Sequence, residues 1–215
     1  MIYNPQMECM SRDEMRELQS QRLRDIVRTC YKKSKFYRRK MAELDVTPDD
    51  IQSIDDIHKL PFTTKTDLRD EYPFGLMVVP PTEVARIHAS SGTTGKPVID
   101  VYTKGDLDMW SEGVARVMAA GGVGPGDTVQ VSYGYGLFTG GLGAHDGAAR
   151  LGACQLPTSA GNTEKQIMLM QDLRTNALAC TPSYAMRIAE AIQNSDKVSI
   201  ENMYLRCGFF GAEPW

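Results

Sequence analysis

No stretch of the chain approaches the about 20 consecutive apolar residues that a membrane-spanning helix needs. The opening MIYNPQMECMSRDEM also lacks the basic and then apolar regions of a secretory leader. A cytoplasmic protein with no membrane partner is expected. Paired cysteines are missing too. Cys9, Cys30, Cys154, Cys180 and Cys207 are odd in number, far apart and never in a CxxC pair, so they read as reduced thiols, mostly in the core. Their spacing builds no zinc site. Nor is there an excess of one charge: 24 Lys and Arg stand against 27 Asp and Glu, for a formal net charge of −3. That balance gives no electrostatic case for a polyanionic partner, and nucleic acid is not expected. The one basic cluster, Lys32, Lys33, Lys35, Arg38, Arg39 and Lys40, falls at the end of a predicted helix. Cations there oppose the negative dipole end and project into solvent. Internal repeats and low-complexity segments are absent.

What the chain does have is enough apolar content to fold. Its 215 residues are 42% hydrophobic and 24% charged, within the ordinary range of one globular domain. Ser11 and Glu14 stand in capping-box spacing before Met15, Leu18, Ile26, Val27, Cys30 and Tyr31, which recur as one helical face. From Thr47 to Pro81 the text breaks at Pro48, Pro61, Pro73, Pro80 and Pro81, with TPDDI and SIDDI resembling short helical turns. Residues 1–80 therefore read as a helical and irregular lead-in. From 81 to 215 the rhythm becomes that of a layered α/β subdomain, with the sheet beginning near Val84. Predicted strands are Val84–His88, Pro97–Tyr102, Thr128–Ser132, Ala153–Leu156, Ala177–Cys180 and Tyr204–Phe210. Predicted helices are Leu107–Ala120, Gly140–Leu151, Glu164–Arg174 and Pro182–Gln193. Thr163 with Gln166 reads as a capping box, and Thr181 followed by Pro182 as a helix entry.

The most informative residues are Ser90, Ser91, Gly92, Thr93, Thr94, Gly95 and Lys96, followed by Pro97, between two predicted strands. Glycines let successive amides point into a concavity, and hydroxyls with a lysine complete a polyphosphate site. This is not a Walker loop. That motif needs glycine where Ser90 stands and serine or threonine where Pro97 stands, and Pro97 disfavours a helix starting at Lys96. A polar hairpin turn would explain glycine and threonine but not this whole combination.

SSGTTGKP is similar to the phosphate-binding signature of the adenylate-forming superfamily, in which the loop holds the β- and γ-phosphates of ATP. Three further stretches narrow the resemblance: Arg86-Ile87-His88-Ala89, the segment from Tyr133 to His145, and Phe210-Gly211-Ala212-Glu213-Pro214-Trp215. Together they resemble phenylacetate–coenzyme A ligases across essentially the whole chain. The resemblance implies an ATP- and Mg²⁺-dependent activation of an aryl acid to an acyl adenylate, then transfer to coenzyme A. It further implies that Gly211, Ala212, Glu213 and Pro214 lie along the adenine and the acyl adenylate. Glu213 is not expected to be a general base, because a carboxylic acid with a pKa near 4 is already ionised at neutral pH.

Tyr133, Tyr135 and Phe138 alternate with glycines, an arrangement that supplies rings while stripping the adjacent backbone of side chains. Tyr135 and Phe138 are the preferred aryl-pocket residues, with Gly140 and Gly141 giving room and His145 as a further candidate. His145 and Asp146 are adjacent and so lie on different helix faces, which argues against a catalytic pair. The family usually has an aromatic residue where Asp146 stands, a departure that bears on local pocket polarity. By the resemblance, the ribose-binding residues, the acidic magnesium ligand and a C-terminal-domain lysine come after Trp215. A truncated large domain, inactive by itself, is expected. The alternatives are a non-catalytic nucleotide-binding or interaction module, or a ligase for another aryl acid. A homodimer is compatible with either.

Overall fold

Ser11 starts the helical lead-in as its spacing requires. After a single turn, α1 (Pro5–Glu8), the Ser11 hydroxyl accepts from the Glu14 amide at 3.2 Å, and the Glu14 carboxylate accepts from the Ser11 amide at 2.8 Å. This reciprocal cap begins α2 (Arg12–Lys33). Ser11→Ala is expected to lower unfolding free energy by about 1 kcal/mol, read as a lower urea midpoint at unchanged slope. Ser34, in extended conformation, ends α2 and caps α3 (Lys35–Glu43) through a 3.3 Å bond from the Tyr37 amide. The basic cluster is thus split between two helices, and half of it does not simply project into solvent. Arg38 donates to the Tyr31 and Lys32 carbonyls, Lys40 pairs with Asp67 at 3.1 Å, and Arg39 pairs with Glu71 at 3.4 Å.

The computed structural model describes residues 1–90 and 96–214. Two compact units emerge, Pro5–Lys104 and Met1–Asn4 with Gly105–Trp215. In the first, Val27, Met41 and Ile51 form a buried core with Leu23, Tyr31, Val46 and Leu60. TPDDI and SIDDI become short 3-10 turns at Pro48–Asp50 and Ile54–Lys59, and α4 (Lys65–Asp70) follows. The same unit contains β1 (Val84–Ala89) and β2 (Ile99–Thr103), which pair antiparallel with Ala89 opposite Ile99. The expectation that the sheet begins at Val84 needs correcting, since these strands form their own two-stranded pair. A nine-residue connection can join antiparallel neighbours, whereas parallel ones need a crossover of a dozen or more.

The second unit carries the layered architecture. Its elements are α5 (Lys104–Ala120), β3 (Thr128–Val131), α6 (Thr139–Leu151), β4 (Cys154–Leu156), α7 (Thr163–Asp172), β5 (Ala177–Cys180), α8 (Pro182–Gln193) and β6 (Cys207–Phe210). The strands form one parallel sheet in the order β4-β3-β5-β6. Each parallel step crosses through a helix or a longer connection, as the α/β rhythm required. Side-chain alternation along β5 shows the layering: Ala177 and Ala179 pack with Ala115, Met118, Ala144 and Ala148 of α5 and α6. Leu178 and Cys180 pack on the other face with Ile167, Met170, Ile188 and Ile192 of α7 and α8. The strand predicted from Tyr204 is shorter than expected, because only Cys207–Phe210 find partners along Ala177–Cys180.

Two further expectations are corrected. Helix α7 is capped by Asn162, in left-handed conformation at φ 48°, whose side chain accepts from the Lys165 amide. Thr163 is therefore inside the helix, and Gln166 is buried instead of capping it. The cysteines are all free but mostly outside the core: only Cys180 is buried, while Cys9 and Cys154 are exposed. Burial pushes the Cys180 thiol up to about 12, with the Glu213 charge adding to the shift. Brief alkylation at pH 8 is expected to modify Cys9 and Cys154 and to spare Cys180. Comparable labelling of Cys180, read by peptide mass, would contradict its burial. No helix among the described residues is long and apolar enough to cross a membrane.

Candidate functional site

In an open parallel sheet, ligand sites form beyond the carboxyl ends of the strands, where the loops converge. Here β3 runs into Ser132–Phe138, β5 into Thr181 and β6 into Gly211–Pro214. A cleft of about 610 Å³ opens among these ends, lined by Trp110, Val114, Val117 and Met118 from α5, Thr139, Gly140, Gly143 and Ala144 from α6, and Tyr133, Phe138, Phe209, Phe210 and Ala212. Its walls are mostly aromatic and aliphatic, the surface a flat apolar ligand requires. A neighbouring cavity of about 500 Å³ shares Tyr133 and Phe138 and adds Ser132, Gly134, Thr181, Ser183, Tyr184 and Arg187. The Tyr133 hydroxyl donates to the Cys180 carbonyl at 2.6 Å, tying its ring to the end of β5.

Of the expected pocket residues, Phe138 and Gly140 line the cleft. A Cβ on Gly140 would stand 2.9 Å from the Phe138 ring, so this glycine leaves room for the aromatic wall. Gly141 serves another purpose. Its missing side chain lets the helix approach the Gly134 carbonyl, which a Cβ would meet at 2.7 Å. Tyr135 and His145 pair with each other, edge to face at 5.9 Å between centroids, with the phenol oxygen 3.4 Å from Nδ1. Burial, reinforced by the Asp146 charge, pushes the Tyr135 phenol up to about 12. Among the described residues, both stand outside this cleft's lining. The sequence did not single out Trp110, Val114 and Val117 as pocket residues. Their i, i+4, i+7 spacing marks one helical face, but that signal is the same for a core stripe. Gly143 belongs with them, because a Cβ there would stand 2.6 Å from the Trp110 ring.

The Gly211–Pro214 stretch leaves β6 with Ala212 in left-handed conformation at φ 70°. Both carboxylate oxygens of Glu213 accept from Ser183 of α8, one from its hydroxyl at 2.8 Å and one from its amide at 3.1 Å. These bonds hold the carboxyl below its ordinary range, and they occupy the oxygens that a general base would need.

Of the phosphate-loop candidates, Ser91, Gly92, Thr93, Thr94 and Gly95 lie outside the described residues, as does Trp215 of the terminal motif. The loop's base is described. The Ser90 amide donates to the Val98 carbonyl at 3.0 Å, and the Val98 amide donates to the Ser90 hydroxyl at 2.9 Å. Ser90 thereby pinches the two ends of the loop together where β1 and β2 diverge. The Lys96 ammonium is 5.1 Å from the centroid of the Tyr72 ring, within cation–π range. Among the described residues, no group of three or more His, Cys, Asp or Glu side chains could hold a metal ion.

The chain is 50% identical over all 215 residues to a phenylacetate–coenzyme A ligase of Thermus thermophilus and 49% identical over 208 residues to one of Escherichia coli K12. It spans about half the length of these curated relatives, 48% of each. No family model matches. Among solved structures, it is similar to a 2-hydroxyisobutyryl-CoA ligase in an open conformation with 2-HIB-AMP and CoA. That match has a TM-score of 0.91 and 31% identity, covering 99% of this chain and 51% of the other. The same ligase in its thioesterification state gives a TM-score of 0.91 at 32% identity, covering 98% and 46%.

Proposed function

We propose that this chain is part of a member of the phenylacetate–coenzyme A ligase family, the relatives it matches over about half their length, and that the whole protein is an AMP-forming aryl acid–coenzyme A ligase. Phenylacetate is the acid we favour. The observation that carries this reading is the 50% identity to a phenylacetate–coenzyme A ligase along the entire chain. The ring-lined cleft at the sheet's carboxyl edge supports it.

In this reading the acid's carboxylate oxygen attacks the α-phosphorus of ATP, the bond to the bridging oxygen breaks, and pyrophosphate leaves. The thiol sulfur of coenzyme A then attacks the acyl carbonyl and AMP departs, with the thiol proton passing to solvent. Magnesium would travel with the triphosphate as part of that substrate. The residues 90–96 would hold the departing phosphates: phosphoryl transfer depends chiefly on positioning and charge neutralisation, which amides, hydroxyls and Lys96 supply. Phe138, Gly140, Gly143 and Trp110 would shape the aryl site, and the backbone at Gly211 and Ala212 would border the adenylate. The 215-residue chain alone would give no thioester. A cytoplasmic location accords with these substrates.

The full-length protein with ATP, Mg²⁺ and coenzyme A is expected to form a thioester from phenylacetate faster than from benzoate or indoleacetate, followed by chromatography. Preference for another aryl acid would move the substrate while keeping the enzyme class. A full-length protein that binds nucleotide but gives neither thioester nor acid-dependent pyrophosphate exchange would favour a non-catalytic nucleotide-binding module.

A further inference from the structure

We propose that Glu213 is a positioning residue that fastens the backbone of Gly211 and Ala212 to the first turn of α8, and so fixes one wall of the aryl-adenylate cleft. The inference rests on the reading of that cleft given above. Beyond Phe210 the chain leaves the β6 ladder, so sheet hydrogen bonds no longer dictate its course. Two tethers replace them. Gly211 lies beside the Tyr133 phenol, itself anchored on the Cys180 carbonyl, and Glu213 grips Ser183 through both oxygens.

Ser183 is the second residue of α8, so its amide is one of the helix's orphan donors, and the positive end of the helix favours a carboxylate. Between the tethers sits Ala212, which lines the cleft in a left-handed conformation at φ 70°. A residue with a Cβ keeps that conformation when its flanks over-determine it. Glu213 is thus not itself among the residues that line the cleft, yet it sets where Ala212 stands.

The full-length protein would be compared with Glu213→Gln, Ser183→Ala, their double variant and Ser183→Thr. Glutamine removes the charge and leaves one acceptor oxygen for the two Ser183 donors, and threonine restores the hydroxyl. Hydrogen exchange of the peptide spanning residues 207–215 is expected to rise at least about fivefold in each disrupting single variant. The double variant should be no faster than the worse single, and Ser183→Thr should match the unaltered protein. In acid-dependent pyrophosphate exchange, the KM for the acid should rise about tenfold while kcat changes by less than about threefold.

Unchanged exchange in the 207–215 peptide, or additive effects of the two substitutions, would overturn the fastening. Loosened exchange with an unaltered KM would overturn its role in positioning. Hydrogen exchange needs no substrate, so a loosened peptide in a protein that shows no acid-dependent activity would instead sink the functional reading and leave the fastening standing.

Discussion

Replacing Lys96 by alanine in the full-length protein is expected to slow acyl-adenylate formation by about 10- to 150-fold, equivalent to about 1.5–3 kcal/mol for a lost charge-assisted phosphate contact. Lys96 is exposed, in the segment just before β2, with its ammonium over the Tyr72 ring. A cation–π contact at an exposed site is worth only about 0.5–1 kcal/mol, so a triphosphate can draw the ammonium away. If residues 90–96 grip the triphosphate, removing the charge would raise the barrier to pyrophosphate departure and leave the KM for the acid nearly unchanged. Arginine should restore part of the rate, because it keeps the charge but replaces a compact ammonium with a planar fork. Single-turnover adenylation measures this directly. A rate within about twofold of the unaltered protein would sink the assignment of residues 90–96 to phosphate.

The largest effect on stability is expected at Gln166. Its Oε1 accepts from the Gln130 amide at 3.1 Å, from the Ser132 hydroxyl at 2.5 Å and from the Thr158 hydroxyl at 3.1 Å. Its Nε2 donates to the Ser159 and Gly161 carbonyls at 2.8 and 2.7 Å. One buried amide therefore holds the connection from β4 to α7, with its left-handed residues Ser159, Gly161 and Asn162, against the end of β3. Gln166→Leu keeps the volume but leaves these groups without their partner. Each buried stranded group costs about 1–3 kcal/mol, less where water can enter, so a loss of at least about 3 kcal/mol is expected in urea unfolding. A loss below about 1 kcal/mol would show that the network contributes little. The damage should reach function too, because Ser132, just past β3, borders the second cavity and Tyr133 borders both.

Where local chemistry was sufficient, the sequence was legible. The Ser11 and Glu14 cap, the Thr181 and Pro182 helix entry and the short turns at TPDDI and SIDDI all appear as read. Each depends on residues three or four apart. The strand at Ala177–Cys180 and the helix at Pro182–Gln193 appear with their expected bounds, since period and punctuation coincide there. Gln166 shows the opposite case. The spacing from Thr163 fitted a cap, but burial against β3 outweighed that weak local preference and drew the amide inward. The cysteines misled for a related reason: apolar character makes burial favourable but cannot say which residues the sheet and helices will cover.

The α/β rhythm and the likeness to phenylacetate–coenzyme A ligases were legible in the sequence alone, because periodicity and motif spacing are properties of neighbouring residues. Only the tertiary structure decided that Val84 and Ile99 head their own antiparallel pair, and that the cleft draws on Trp110 and Phe209 while Tyr135 turns to His145. It also decided that Glu213 meets a serine 30 residues away. Such contacts depend on which faces the packed layers bring together, and no local spacing encodes that choice.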